Sequence, residues 1–231
     1  MSCLSELNLG PVTPPSVSFS SCLHPGARFV GSQLSKGKKY NVEAVIQVRV
    51  PSRHHLFLSQ TTNLPEKTFY GLLTIEHLAE EVPNSTTFFE AEIISRKFPF
   101  TTGKWDATVE IDRSHWNELN VPSKFPNYYK DSFDYSALET ADHVFMRWKE
   151  KFLVPDTTNS SASEHISFSG FYYICLRKTT GVLTGYYYQG TSERYFLVLG
   201  PFLSPCFLPC SFQLLELNYV PQTTFSSFQI I

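Results

Sequence analysis

The stretch Tyr40-Asn41-Val42-Glu43-Ala44-Val45-Ile46-Gln47-Val48-Arg49 decides the fold. Apolar and polar side chains alternate along it, broken only by Val45. Successive side chains of an extended chain point to opposite faces, so this period of two predicts a strand with one buried face. The first strand of the sheet is expected to start here. Similar runs follow at 69–76, 88–95, 143–153, 168–177 and 182–188, separated by clusters of Pro, Gly, Asn and Ser rather than by long helical patterns. An all-β, antiparallel barrel is the expected closure. Two short helical insertions are expected within it: 112–119, with Asp112 as an acidic cap, and 135–141.

A chain of 231 residues, 42% hydrophobic and 15% aromatic, is long and apolar enough to build one sizeable core. With 19 basic against 21 acidic residues it carries no electrostatic footprint for nucleic acid or an anionic membrane, so the expected partners are proteins or small ligands. The Ser- and Pro-rich beginning lacks a basic start and a continuous apolar run, and reads as a disordered arm rather than a signal peptide or membrane span. A cytoplasmic or nuclear protein is expected. The five cysteines are widely spread with no paired short spacing, and read as reduced thiols rather than a zinc module. Neither a glycine-rich phosphate loop nor a coiled-coil repeat occurs, and no cofactor is expected.

One residue breaks its own pattern. In 143–153 one face reads Val144, Met146, Trp148, Glu150, Phe152, and the other His143, Phe145, Arg147, Lys149, Lys151. Glu150 therefore points with the apolar set. A buried carboxylate costs several kcal/mol unless it is paired or neutralised, so the pattern demands a cation or a hydrogen-bond donor there. Three readings remain open on periodicity: an internal ion pair with Lys or Arg, a strand end reaching water, and a cationic ligand. Tyr172 and Tyr187 lie in other aromatic strands, from which either hydroxyl can reach the same cavity.

Other chemistry is weaker. His54 and His55 sit beside Arg53 with no carboxylate or cysteine at ligand spacing, and read as a solvated loop. Glu90 and Glu92 share a strand face in the manner of a glycosidase pair, but two carboxylates on a solvent-facing edge are the commoner case. Neither a Gly-x-Ser-x-Gly elbow nor a His-Glu-x-x-His helix is found, so no enzyme is expected.

The string Asp142-His-Val-Phe-Met-Arg-Trp-Lys-Glu150-Lys-Phe-Leu-Val-Pro-Asp156 is similar to a signature of the vacuolar import and degradation proteins, the glucose-induced-degradation substrate receptors. It is accompanied in order by Phe29-Val-Gly-Ser-Gln33-Leu-Ser-Lys-Gly37, by Thr86-Thr-Phe-Phe-Glu-Ala-Glu-Ile-Ile-Ser95 and by Lys104-Trp-Asp106. Ser167-Phe-Ser-Gly-Phe-Tyr-Tyr-Ile-Cys175 and Gly185-Tyr-Tyr-Tyr188 complete the set. The resemblance implies an eight-stranded lipocalin-like barrel with helical insertions, acting as the degron-reading subunit of the ubiquitin ligase called GID or CTLH. It implies a ligand as well: the unacetylated N-terminal proline of proteins to be degraded. Glu150 would take its charged amine, Tyr172 would hydrogen-bond that amine, and Tyr187 and Gln33 would hold the backbone that follows. Val42, Ile75, Leu78, Thr87, Phe88, Leu153, Ser167 and Phe168 match positions that shape the funnel around the first ligand residues, and Gln213 resembles a further ligand contact. A scaffold subunit of the ligase is the implied protein partner.

Against that pattern, residues 1–27 form the arm and 28–231 the barrel domain. Ser85 stands where a larger apolar residue usually lines the funnel, which predicts a wider or wetter pocket on that side. The loop at 48–68 is longer than the family norm. Residues 196–212 interrupt a family-like junction, and their Phe, Leu, Ser, Pro and Cys content reads as a translated intron. A lipocalin-like carrier of a small hydrophobic molecule is the competing function, since barrel architecture permits either.

Overall fold

The computed structural model describes residues 22–35, 37–47, 66–79, 82–154, 170–190 and 213–221, with side chains at all of these but 78, 79, 82 and 83. Eight strands close into one antiparallel barrel: β1 (Arg28–Ser35), β2 (Lys38–Gln47), β3 (Thr68–Ala79), β4 (Val82–Ile93), β5 (His143–Leu153), β6 (Phe171–Arg177), β7 (Val182–Tyr188) and β8 (Gln213–Val220). Each pairs with the next, and β8 returns to β1.

The first strand is β1, not the run that begins at Tyr40. Only Phe29 and Gln33 of its eight residues are buried, so its own alternation is faint. It is a strand because β2 and β8 supply hydrogen-bonding partners along both of its edges. The expected arm also ends earlier than residue 27: Cys22, Leu23 and Ala27 belong to the core, and Gly26 donates its N–H to the Ile46 carbonyl at 2.8 Å.

The barrel interior is filled by alternate residues of every strand, among them Phe29, Ala44, Leu73, Phe89, Trp148 and Ile174. Phe89 lies flat on Trp148, with ring centroids 4.4 Å apart. The space comes from Gly71, where a Cβ would sit 2.3 Å from Phe89 Cζ.

Between β4 and β5 the register shifts: Phe88 faces Phe152 but Phe89 faces Glu150, leaving Lys151 as an extra residue. This bulge corrects the simple alternation of 143–153. Glu150 stays inside, whereas Phe152 turns to the outer face, 53% exposed, and stacks on Phe88, which in turn stacks on Tyr70. Leu153 then returns opposite Thr87.

The segment between β4 and β5 covers part of the outer face. It carries α1 (Val109–Glu118), α2 (Val121–Lys124) and α3 (Ala137–Thr140). Helix α1 starts three residues before the expected 112, because Thr108 rather than Asp112 caps it, accepting from the Ile111 N–H. Trp116, Val121, Phe100 and Tyr128 pack onto Phe145, Phe171 and Tyr173 of the strands as a second core.

That second core encloses charge. Arg147, 1% exposed, donates to the Pro99 carbonyl at 2.9 Å, to Thr102 Oγ1 at 3.1 Å and to Glu92 at 3.4 Å. Glu92 also pairs with Lys104, and Asp112 accepts from the Thr102 N–H and the Tyr173 hydroxyl, each at 2.7 Å. Glu92 is therefore not on the expected solvent-facing edge, whereas Glu90 pairs with Lys151 nearer the surface at 2.7 Å. Glu92 is neutralised by Arg147 and Lys104 and Glu90 by Lys151, which leaves nothing of the glycosidase-like pair.

Candidate functional site

The polar residues of the interior gather at one end of the barrel. Gln33 lies near the end of β1, Glu150 near the end of β5, and Tyr187 is the penultimate residue of β7. Tyr172 is second in β6 and Gln213 first in β8. Tyr172 pairs with Tyr187 and Tyr187 with Gln213, while Glu150 and Gln33 each lie two residues from that register, so all five cluster at this end.

Glu150 is 6% exposed. Thr87, across the β4–β5 pair, donates to Glu150 Oε1 at 2.9 Å; its alternative acceptor, the Leu73 carbonyl, is at 3.4 Å, so the single hydroxyl proton goes to the carboxylate. The Tyr187 hydroxyl makes a second hydrogen bond to Glu150. Tyr187 reaches that far because its ring crosses Gly170, where a Cβ would sit 2.3 Å from Tyr187 Cζ.

Two neutral donors do not replace a counter-ion. Among the described residues the one cation acting on Glu150 is Lys149, which belongs to the other face of β5 and donates to the Gly170 carbonyl at 2.9 Å. Burial therefore pushes the Glu150 carboxyl above its ordinary range, against the pull of the Thr87 and Tyr187 bonds and the Lys149 charge. Burial and the nearby Glu150 charge push the hydroxyls of Tyr172 and Tyr187 up, so both keep their protons.

Tyr172, 1% exposed, spends its proton on Gln33 Oε1 at 3.0 Å, and Gln33 donates to Gln213 Oε1 at 3.0 Å. With its proton committed, the Tyr172 oxygen presents lone pairs only. The site thus offers a buried carboxylate and a buried phenol oxygen as acceptors within one aromatic cluster, in which the Tyr172 and Tyr187 rings lie 4.8 Å apart. What this arrangement lacks is positive charge.

Of the apolar positions expected around it, Val42 and Ile75 are buried in the interior and paired with each other, and Leu153 faces Thr87. Phe88 is not among them: it lies on the outer face between Tyr70 and Phe152, because neighbouring residues of a strand face opposite ways and Thr87 takes the inner one. Leu78 is in β3, but its side chain lies outside the described residues, as do Ser167, Phe168, the loop at 48–65 and all of 196–212. Gln213 has its place in the barrel, facing Tyr187 of β7. Ser85 is also interior, at 3% exposure. Gly170 was missed by sequence reasoning. Its signal was a glycine at the entry to an aromatic strand, the usual mark of a close approach.

Among the described residues no group of three or more His, Cys, Asp or Glu is placed to hold a metal ion, and no helix is long and apolar enough to cross a membrane.

The model of the family described as vacuolar import and degradation protein matches residues 22–199. The Glucose-induced degradation protein 4 homolog of Mus musculus is 45% identical over 177 residues, 76% of this chain and 75% of that protein. The GID complex substrate-recognition subunit 4 of Schizosaccharomyces pombe is 32% identical over 206 residues, 84% of this chain and 98% of that protein. The GID complex substrate-recognition subunit 10 of Saccharomyces cerevisiae is 30% identical over 200 residues, 75% of this chain and 65% of that protein.

Proposed function

Because the chain belongs to the vacuolar import and degradation protein family, we propose that it is the substrate-recognition subunit of a GID-type ubiquitin ligase, binding proteins by an unacetylated N-terminal proline. It works in the cytoplasm or nucleus and hands its cargo to a ligase whose scaffold subunit holds it. It performs no catalysis itself. Relatives named as substrate-recognition subunits of the GID complex support the receptor role.

The observation that carries the ligand is Glu150: a carboxylate at 6% exposure that meets hydroxyl donors but no ion-paired cation among the described residues. A cationic ligand supplies the missing charge and recovers the cost of burial. The N-terminal ammonium of proline carries two N–H groups, and the site holds two acceptors for them, the Glu150 carboxylate and the Tyr172 oxygen. The pyrrolidine ring then rests on hydrocarbon such as Val42 and Ile75, as a small apolar funnel requires. Behind Tyr172, Gln33 and Gln213 have amide hydrogens left over for the ligand backbone. An acetyl group removes the charge and leaves Glu150 desolvated and unpaired, so blocked N-termini are rejected.

Calorimetric titration with a short Pro-initiated peptide and its N-acetylated twin tests this reading. Binding of the free peptide alone is expected. Equal binding of both, or of neither, overturns it, and tight binding of a neutral apolar molecule in their place would favour a lipocalin-like carrier.

A further inference from the structure

Trp148 Nε1 and Ser85 Oγ are the barrel-interior polar atoms left without a hydrogen-bond partner among the described residues, and of the two only the hydroxyl stands on the strand that carries Thr87. Ser85 is 3% exposed, and its Oγ has no hydrogen-bond partner among the described residues. It shares the inner face of β4 with Thr87 and Phe89, and it is paired with Ile75, itself a core residue facing Val42. The hydroxyl is therefore held among apolar neighbours on the face that carries the Glu150 donor. A buried hydroxyl without a partner is costly, and native interiors leave few of them. An apolar residue would cost nothing there, and a group that enters the barrel and bonds to the hydroxyl would account for it.

Ser85 lies two residues from Thr87, toward the β3–β4 hairpin. Two residues of strand span about 6.8 Å, and a strand tilt of about 35–45° in a barrel reduces that to about 5 Å along the axis. An extended ligand advances about 3.4 Å per residue. A peptide whose N-terminus sits at Glu150 and whose chain leaves past the hairpin thus brings its second or third residue level with Ser85. We propose that Ser85 is a specificity-determining residue whose buried hydroxyl hydrogen-bonds the side chain of that second or third ligand residue, selecting serine, threonine or asparagine there. The inference rests on the N-terminal peptide reading given above.

Thr and Val have the same shape and differ in the hydroxyl. Pro-initiated peptides carrying either residue at position 2 or at position 3 are therefore titrated into the full chain. One buried neutral hydrogen bond predicts that the wild type prefers Thr over Val by about two- to tenfold at one of the two positions. Ser85→Ala is expected to abolish that preference without lowering the affinity for the Val peptide, and Ser85→Thr, which keeps the hydroxyl, to retain it. Thermal melting of each variant shows that the barrel is intact. Equal affinity for Thr and Val in the wild type overturns the inference alone, and so does a preference that survives Ser85→Ala. Uniform weakening of all four peptides by Ser85→Ala places the hydroxyl on the ligand backbone and also overturns it. Failure of every Pro-initiated peptide to bind is a different result, which removes the receptor reading and this inference with it.

Discussion

Replacing Glu150 with Gln preserves the shape of the side chain and removes its charge. In the free protein the change is mild. The Gln carbonyl oxygen still accepts from Thr87, now at 2.9 Å from Glu150 Oε1, and the Tyr187 hydroxyl turns from donor to acceptor for the new amide. A carboxylate at 6% exposure without an ion-paired cation among the described residues is no longer buried, so melting is expected to be unchanged or raised. In the complex the change is severe, because the ligand ammonium keeps only neutral dipoles around it. Losing one side of a desolvated charge pair costs about 2–5 kcal/mol, or roughly thirtyfold to several thousandfold in affinity. The wild type should also show a pH dependence that the variant lacks. Burial raises Glu150 above its ordinary value near 4.5, and only the ionised form binds a cation, so affinity is full above the raised value and falls as pH drops through it. Titrating a Pro-initiated peptide across pH 5 to 8 into both proteins, with melting curves beside them, reads all three effects. A folded Glu150→Gln variant that binds within about threefold of wild type, well short of the loss expected for a broken charge pair, would refute the reasoning. So would a variant that unfolds, since Glu150 would then be part of a structural pair.

Gly170→Ala should weaken peptide binding about tenfold by displacing the Tyr187 ring that a Cβ would meet at 2.3 Å, with titration and near-ultraviolet circular dichroism as the measurements. Arg147→Ala should destabilise the fold by about 3–5 kcal/mol, read by urea unfolding, because buried Glu92 keeps only Lys104 and the Pro99 carbonyl and Thr102 hydroxyl lose their donor, while the folded fraction still binds peptide. Burial lowers His115 from 6.5 to about 4. Its unfolded form takes up a proton in that window and its folded form does not, so stability present above pH 6.5 is lost toward pH 4, by about 3 kcal/mol for a fully buried ring; in His115→Gln the slope of stability against pH across that window should flatten.

The sequence by itself determined six of the eight strands, the antiparallel barrel and the oddity of Glu150. These are local properties: a period of two survives in any window of a strand, and a carboxylate among Val144, Met146 and Trp148 is visible without knowing what lies across from it. Tertiary structure alone decided the rest. The donors to Glu150 come from Thr87, 63 residues away, and from Tyr187 in another strand, and no periodicity reports pairings at that range. The bulge at Lys151 moved Phe152 outside, because register is set between two strands and not within one. Phe88 was assigned to the pocket by resemblance, yet the inward aim of Thr87 obliges it to face out. Arg147 and Glu92 sit on the face that alternation gives to solvent, and they are buried because a helical insertion folds over it. A strand pattern states which residues share a side; what covers that side is decided by segments elsewhere in the chain, whose packing is a property of the whole fold.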